Sequence, residues 1–333
     1  MINYLHLLEY FLYSFFFSLI ISPFVISLLK KEKIKQTILH YVENHKSKNG
    51  TPTMGGLVFL ICIPIISFIC FNGLSSYSKI TVLIFLAYGL VGFIDDFIKF
   101  KFKRNEGLLP YQKIIFQLSI SLIVGLFIYN RIGGGVLIPF LNKYIDLGVW
   151  IIPLVVVVFL ATSNSVNLTD GLDGLASSTS FIFLISFLIL QLIFINTGVI
   201  SLNVVTLDEF KNLSILITVA CGSLLCFLLF NCFPAKIFMG DTGSLALGGL
   251  ITSLACFAGM ELYVPILGIV FVANSLSVIL QVAYYKLTKK RIFLMAPLHH
   301  HFEKRGVHEV RITFTYALVS LLVGIIVILI NIL

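Results

Sequence analysis

The stretch Ile80-Thr-Val-Leu-Ile-Phe-Leu-Ala-Tyr-Gly-Leu-Val-Gly-Phe-Ile-Asp-Asp-Phe-Ile-Lys99 decides how this chain is read. From Ile80 to Ile94 no residue is charged, and then Asp95 and Asp96 stand side by side. A run of this kind suits a helix crossing lipid, with the acidic pair where hydrocarbon gives way to water. Charge inside a bilayer is costly, so two carboxylates at this depth call for a cation or a function. The C-terminal end of a helix also disfavours anions, and Lys99, one turn on, is a first candidate to offset that.

Working outward, the whole chain has the same character. Of 333 residues, 59% are hydrophobic and 11% charged, with a mean hydropathy of +1.04. That balance excludes a soluble globular domain. Many apolar runs approach the roughly 20 residues a transmembrane helix needs. The alternating strands of an outer-membrane barrel are absent. The expected fold is therefore all-α: a single polytopic membrane domain over residues 1–333, active at its cytoplasmic face.

Ten spans are expected, at about Leu7–Leu29, Met54–Phe71, Ile80–Phe97, Lys113–Tyr129, Val149–Ala161, Leu175–Ile195, Leu213–Phe230, Leu245–Ala258, Tyr263–Tyr285 and Ile312–Ile332. Pro23 predicts a kink in the first. Alternation from Val136 to Ile145 predicts a small hairpin. The first run carries Glu9 and lacks a basic leader and a small-residue cleavage site, so it reads as a retained span.

The net charge of +8 does not point to nucleic acid. Nineteen of the 23 Lys and Arg fall in the loops after odd-numbered spans. Those loops are expected in the cytoplasm, which puts both termini on the extracytoplasmic side. The six cysteines have no C-x-x-C spacing and read as reduced packing residues. No internal repeat marks the chain as a transporter.

Five of the seven Asp residues fall on that same side: Asp95, Asp96, Asp170, Asp173 and Asp241. Asp170 and Asp173, three apart in Asn164-Ser-Val-Asn167-Leu-Thr-Asp170-Gly-Leu-Asp173-Gly174, would share a helical face. One of them, or Thr169, could serve as a helix cap, which leaves the other polar residues unexplained. Asp241 in Phe238-Met-Gly-Asp-Thr-Gly-Ser244 could likewise cap a helix. Its flanking glycines also allow close approach of a ligand, and an amide-rich helix start suits phosphate. His299, His300 and His301 are consecutive and cannot all point one way, so a tridentate metal site is not expected there. Lys48 and Thr53 flank a Gly- and Pro-bearing turn, and basic residues there could instead meet membrane lipid headgroups. Carboxylates, lysines and Gly-rich helix starts together suit Mg²⁺ and phosphates. The residues alone thus lead to a magnesium-dependent phosphoryl or glycosyl-phosphate transferase with one lipid substrate.

Thr-Pro-Thr-Met-Gly-Gly (51–56), Asp95-Asp96, Asn-Leu-Thr-Asp-Gly-Leu-Asp-Gly (167–174), Phe-Met-Gly-Asp-Thr-Gly-Ser (238–244) and Ala-Pro-Leu-His-His-His-Phe-Glu (296–303) occur in this order along the chain. This set resembles the MraY family of phospho-N-acetylmuramoyl-pentapeptide transferases, a branch of the polyprenyl-phosphate sugar-1-phosphate transferases. The resemblance implies transfer from UDP-MurNAc-pentapeptide to undecaprenyl phosphate, giving lipid I and UMP, in the bacterial cytoplasmic membrane. It also leaves room for a homodimer. It implies Mg²⁺ on Asp241, with Asp95 and Asp96 as further candidate ligands. Asp95 would deprotonate or orient the lipid phosphate, with Asp96 beside it. Lys48, Thr53, Lys99, Lys113, Asn164, Asn167 and Asn231 would contact phosphates or order the site. Asp170, Asp173 and Phe238 would lie near the uridine, and His299, His300 and His301 near the sugar-peptide. Direct attack by the lipid phosphate is the expected route, with a phosphorylated Asp as its rival. Two other readings remain at this point: a WecA-like transferase using UDP-N-acetylglucosamine, and a secondary transporter.

Overall fold

The computed structural model describes residues 4–32, 50–70, 75–102, 106–199 and 206–332. It is a helical bundle with one small hairpin. The helices are α1 (Tyr4–Lys31), α2 (Leu57–Cys70), α3 (Ser76–Phe102), α4 (Pro110–Arg131), α5 (Ile151–Thr169), α6 (Leu175–Thr197), α7 (Leu207–Asn231), α8 (Gly240–Phe257), α9 (Val264–Leu267), α10 (Ile269–Thr288), α11 (Leu298–Lys304) and α12 (Glu309–Ile332). Among the described residues, eight helices are long and apolar enough to cross a membrane: α1, α3, α4, α5 with the turn before it, α6, α7, α10 and α12. The expected second and eighth spans, α2 and α8, are not in that set.

The reason for α8 is instructive. Every residue from Thr242 to Phe257 is buried, so this helix is walled by protein, not by lipid. It needs small residues more than apolar ones. A Cβ on Gly248 would lie 2.4 Å from Ser163 Cα in α5, and one on Gly249 would lie 2.8 Å from the Tyr88 ring of α3. Contact of this kind relies on van der Waals packing at close backbone distance, as membrane helix pairs do. The pair α1–α7 works similarly: Gly222 meets the Phe11 carbonyl, Ser14 Oγ donates to Val219 O at 2.6 Å, and Ser18 and Ser223 hydroxyls bond at 2.7 Å.

Three expected boundaries change. Span five does not stop at Ala161; α5 continues to Thr169, because its polar last two turns face other helices. The ninth span is interrupted at Gly268, which separates the short α9 from α10. The basic loop after it contains a helix, α11, which carries the histidines. The expected hairpin is present: β1 (Gly135–Ile138) pairs antiparallel with β2 (Lys143–Asp146). Val136 and Leu137 are fully buried, and Leu137 N–H donates to Gly259 O, which docks the hairpin on the end of α8.

Candidate active site

The start of α8 meets the end of α3. Gly92 makes this possible: a Cβ there would sit 2.1 Å from the Asp241 carbonyl oxygen. Gly56 packs as closely on Gly243 from the other side. Asp96, 5% exposed, then does the work of a helix cap for α8. Its Oδ2 accepts from Thr242 N at 2.9 Å and from Thr242 Oγ1 at 2.7 Å. The first four N–H groups of a helix lack a partner within it; Asp96 satisfies one of them, and a carboxylate also suits the positive end of the dipole. Asp241 itself is not the cap; it lies inside the first turn and projects its carboxylate outward. Nor does Asp170 or Thr169 cap α6, whose first turn is preceded by Gly174 in a left-handed conformation.

Asp95, Asp96 and Asp241 each offer a carboxylate oxygen within 4.8 Å of the other two. Two ammonium groups offset this charge. Lys99 Nζ is 2.6 Å from Asp95 and 2.9 Å from Asp241; Lys113 Nζ is 3.0 Å from Asp95 and 2.6 Å from Asp241. Leu108 N–H donates to Asp95 Oδ1 at 2.8 Å. Asn167 Nδ2 donates to Asp241 Oδ1 and to Ser244 Oγ, both at 2.8 Å. The polar extension of α5 therefore reaches the acidic cluster. Asp170, just past its end, accepts from Gly240 N–H; burial, with Asp241 and Asp96 adding, pushes its carboxyl up to about 8.

Among the described residues the donors at the cluster are all oxygens, without Cys or His, which suits a hard divalent cation such as Mg²⁺. Asp241 is the most open of the three side chains, at 16% against 0% for Asp95. Such a centre, at the ends of apolar helices, can hold and neutralise phosphates beside a membrane.

Comparison with known proteins agrees with this chemistry. Residues 77–259 match the glycosyl transferase family 4 model, and residues 48–60 match phospho-N-acetylmuramoyl-pentapeptide-transferase signature 1. A phospho-N-acetylmuramoyl-pentapeptide-transferase of Clostridium novyi (strain NT) is 42% identical over 314 residues, covering 93% of this chain and 92% of the relative. The chain belongs to this family. Similar transferases from Clostridium perfringens (strain 13 / Type A) and Thermoanaerobacter sp. (strain X514) are each 43% identical. The first covers 92% of this chain and 93% of the relative; for the second both shares are 93%.

Within this transferase framework the expected site residues separate into groups. Asp95, Asp96, Asp241, Lys99, Lys113 and Asn167 come together at the cluster. Thr53 is adjacent, since a Cβ on Gly240 would be 3.0 Å from its Oγ1. Phe238 is half-buried, and its backbone bonds to Pro52 O and to Gly55 N–H. Asn231 braces its own loop, accepting from Ser177 Oγ at 2.5 Å and donating to Ile237 O at 2.9 Å. Asp173 Oδ2 accepts from Ala235 N–H at 2.9 Å, tying that loop to the start of α6. Asn164 turns sideways to Gln117 Oε1 at 2.7 Å.

The three histidines diverge as their spacing requires. His299 is fully buried, His300 pairs with Glu303 at 2.5 Å, and His301 Nδ1 accepts from Leu294 N–H at 3.1 Å. Lys48 lies outside the described residues. Sequence reasoning missed Thr242, Gln117, Asn274 and Leu108. Only Thr242 carried a signal, its place in the Gly-Asp-Thr-Gly run. The other three contribute through partners distant in the chain.

Proposed function

We propose that this chain transfers phospho-MurNAc-pentapeptide from UDP-MurNAc-pentapeptide to undecaprenyl phosphate, forming lipid I and releasing UMP. It is a multi-pass protein of the bacterial cytoplasmic membrane and acts in peptidoglycan synthesis. The observation that carries the reading is the triad Asp95, Asp96 and Asp241, bridged by Lys99 and Lys113, in a chain related to these transferases along nine-tenths of its length.

Asp241 would be the principal Mg²⁺ ligand, with Asp95 and Asp96 within reach. A bound Mg²⁺ supplies positive charge to the diphosphate oxygens. The protein's own part is positioning and charge placement. Lys99 and Lys113 already engage the carboxylates; on entry of substrate they provide the ammonium groups that phosphate oxygens need. A lipid phosphate oxygen attacks the β-phosphorus, the new O–P bond forms, and the bond to the bridging oxygen breaks with its electrons leaving on UMP. A phosphate monoester has a second pKa of roughly 6, so the acceptor is mostly the dianion near neutral pH. Asp95 is thus needed more to orient than to deprotonate. Its full burial, with both oxygens engaged, favours this over a phospho-aspartate route.

We also place ten spans in the membrane, by counting α2 and α8 with the eight long helices, and put the carboxylates at the cytoplasmic face with both termini outside. The Lys and Arg distribution supports this orientation. Pairing of two copies, as the resemblance allows, would show in the mass of the detergent-solubilised protein. For the reaction, the purified protein is given undecaprenyl phosphate, Mg²⁺ and either UDP-MurNAc-pentapeptide or UDP-N-acetylglucosamine. UMP release with the first alone is expected; release with the second alone would make it a WecA-like enzyme.

A further inference from the structure

Asn274 sits in α10, fully buried. An amide in that position must be paired, since an unsatisfied polar group in an apolar interior is expensive. Its Nδ2 donates to Thr169 Oγ1 at 2.9 Å. Thr169 spends its one hydroxyl proton on Ser165 O, at 2.8 Å, so towards Asn274 it can only accept. That fixes which way the amide faces. The Asn274 oxygen must then point at His299 Nδ1, 3.4 Å away, and at Tyr316 Oη, 3.5 Å away. A carboxamide oxygen cannot donate, so Nδ1 of His299 carries the proton and Tyr316 donates its hydroxyl. The other ring nitrogen, Nε2, lies against Gly171, where a Cβ would be only 2.2 Å from it. Gly171 follows Asp170, the residue that accepts from Gly240 N–H beside the carboxylate triad.

We propose that Asn274 is a positioning residue: it sets His299 as the Nδ1–H tautomer and, through Thr169, locks the histidine helix α11 to the last turn of α5. That turn carries Asn167, which holds Asp241. The amide therefore registers three elements, α5, α10 and α11, around one imidazole. The inference rests on the transferase reading only for its kinetic consequence; the tautomer is a property of the protein without substrate.

The two can be tested apart. ¹⁵N-histidine labelling of the full-length protein in lipid, with the His299 signals identified by their loss in His299→Ala, reads the tautomer directly. A protonated Nδ1 is expected. In Asn274→Leu, which keeps the volume but removes the acceptor, that preference should be lost; Asn274→Asp keeps an acceptor oxygen and should retain it. On UMP release, Asn274→Leu should lower kcat about 10-fold, the scale seen when the partner that orients a functional histidine is removed. It should cost clearly less in a His299→Ala background, where only the Thr169 bond is left to lose, since residues acting as one unit are not additive. An Nδ1 without its proton in the parent protein, an unchanged tautomer in Asn274→Leu, or additive losses in the double variant would overturn the proposal. If Asn274→Leu fails to fold, the parent spectrum and that of Asn274→Asp still decide it. Correct spectra with no transferase activity in the parent would instead sink the functional reading alone.

Discussion

The two ends of α8 hold buried carboxylates in opposite circumstances. The helix rises about 27 Å between them at 1.5 Å per residue. At its start, Asp95, Asp96 and Asp241 share two lysines, the Leu108 and Thr242 amides and the Asn167 carboxamide. Beyond its end, Glu261 is 1% exposed, and among the described residues its Oε2 has no hydrogen-bond partner. Burial pushes the Glu261 carboxyl up to about 8, so it is mostly neutral near pH 7. Burial by itself thus gives a neutral acid that fills space beside the hairpin. Cations and amide donors around a group of carboxylates give a centre able to hold charge. The number of acids matters less than what surrounds them.

The largest test of that contrast removes one member of the cluster. Asp241→Asn should reduce Mg²⁺-dependent UMP release by about 10³-fold, the scale on which a direct electrostatic contribution acts. Near-full activity would remove Asp241 from the role assigned to it. Lys113→Met should follow at about 10²-fold, because Asp95 and Asp241 would be left to share Lys99. It should also lower the unfolding temperature in detergent, since it leaves buried charge less compensated.

A third variant leaves every charge in place. Gly92→Ala forces α3 away from α8 at the point where a Cβ would meet the Asp241 carbonyl. Overpacking of this kind costs about 1–3 kcal/mol, to be read from thermal unfolding, and activity should fall with the separation of the carboxylates. Unchanged stability would show that the helices do not need that contact. The smallest effect is expected at the other end. Glu261→Gln should leave UMP release within about twofold of the parent while changing the pH dependence of stability. Because the folded carboxyl stays protonated above its ordinary value of 4.5, the parent should lose stability as pH rises from 4.5 to about 8 and lose no more beyond. The Gln variant should lose the Glu261 share of this fall, keep the share that the raised Asp170 carboxyl contributes, and be the more stable of the two at pH 8. An unchanged slope in the variant would mean that Glu261 binds its proton no more tightly in the fold than in the unfolded chain.

Much of this was legible before any coordinates. A long apolar run closing on Asp95-Asp96 is visible to the eye, as are the alternation over 136–145 and the bias of Lys and Arg. Asp241, between two glycines, was likewise open to inspection. What escaped reading was anything decided by a neighbour. Asp96 looks like a catalytic twin of Asp95, yet it closes the first turn of α8. Asp170 and Asp241 look like caps of the helices that follow them in the chain, α6 and α8, and are not. Asn164 and Asn167 look alike in sequence, but only Asn167 reaches Asp241. Asn274 lies in an otherwise ordinary apolar helix and gave no signal at all.

The amino-acid order alone determined that this protein lives in a membrane and to which family its motifs belong. Those are properties of local composition, because hydrophobic run length and charge bias act on each segment separately. The fold alone decided which carboxylates meet, which polar residues serve as braces, and why α8 can be rich in glycine. Hydrogen bonds and close backbone approach join residues as much as 205 positions apart, such as Ser18 and Ser223, and no segment records its partner.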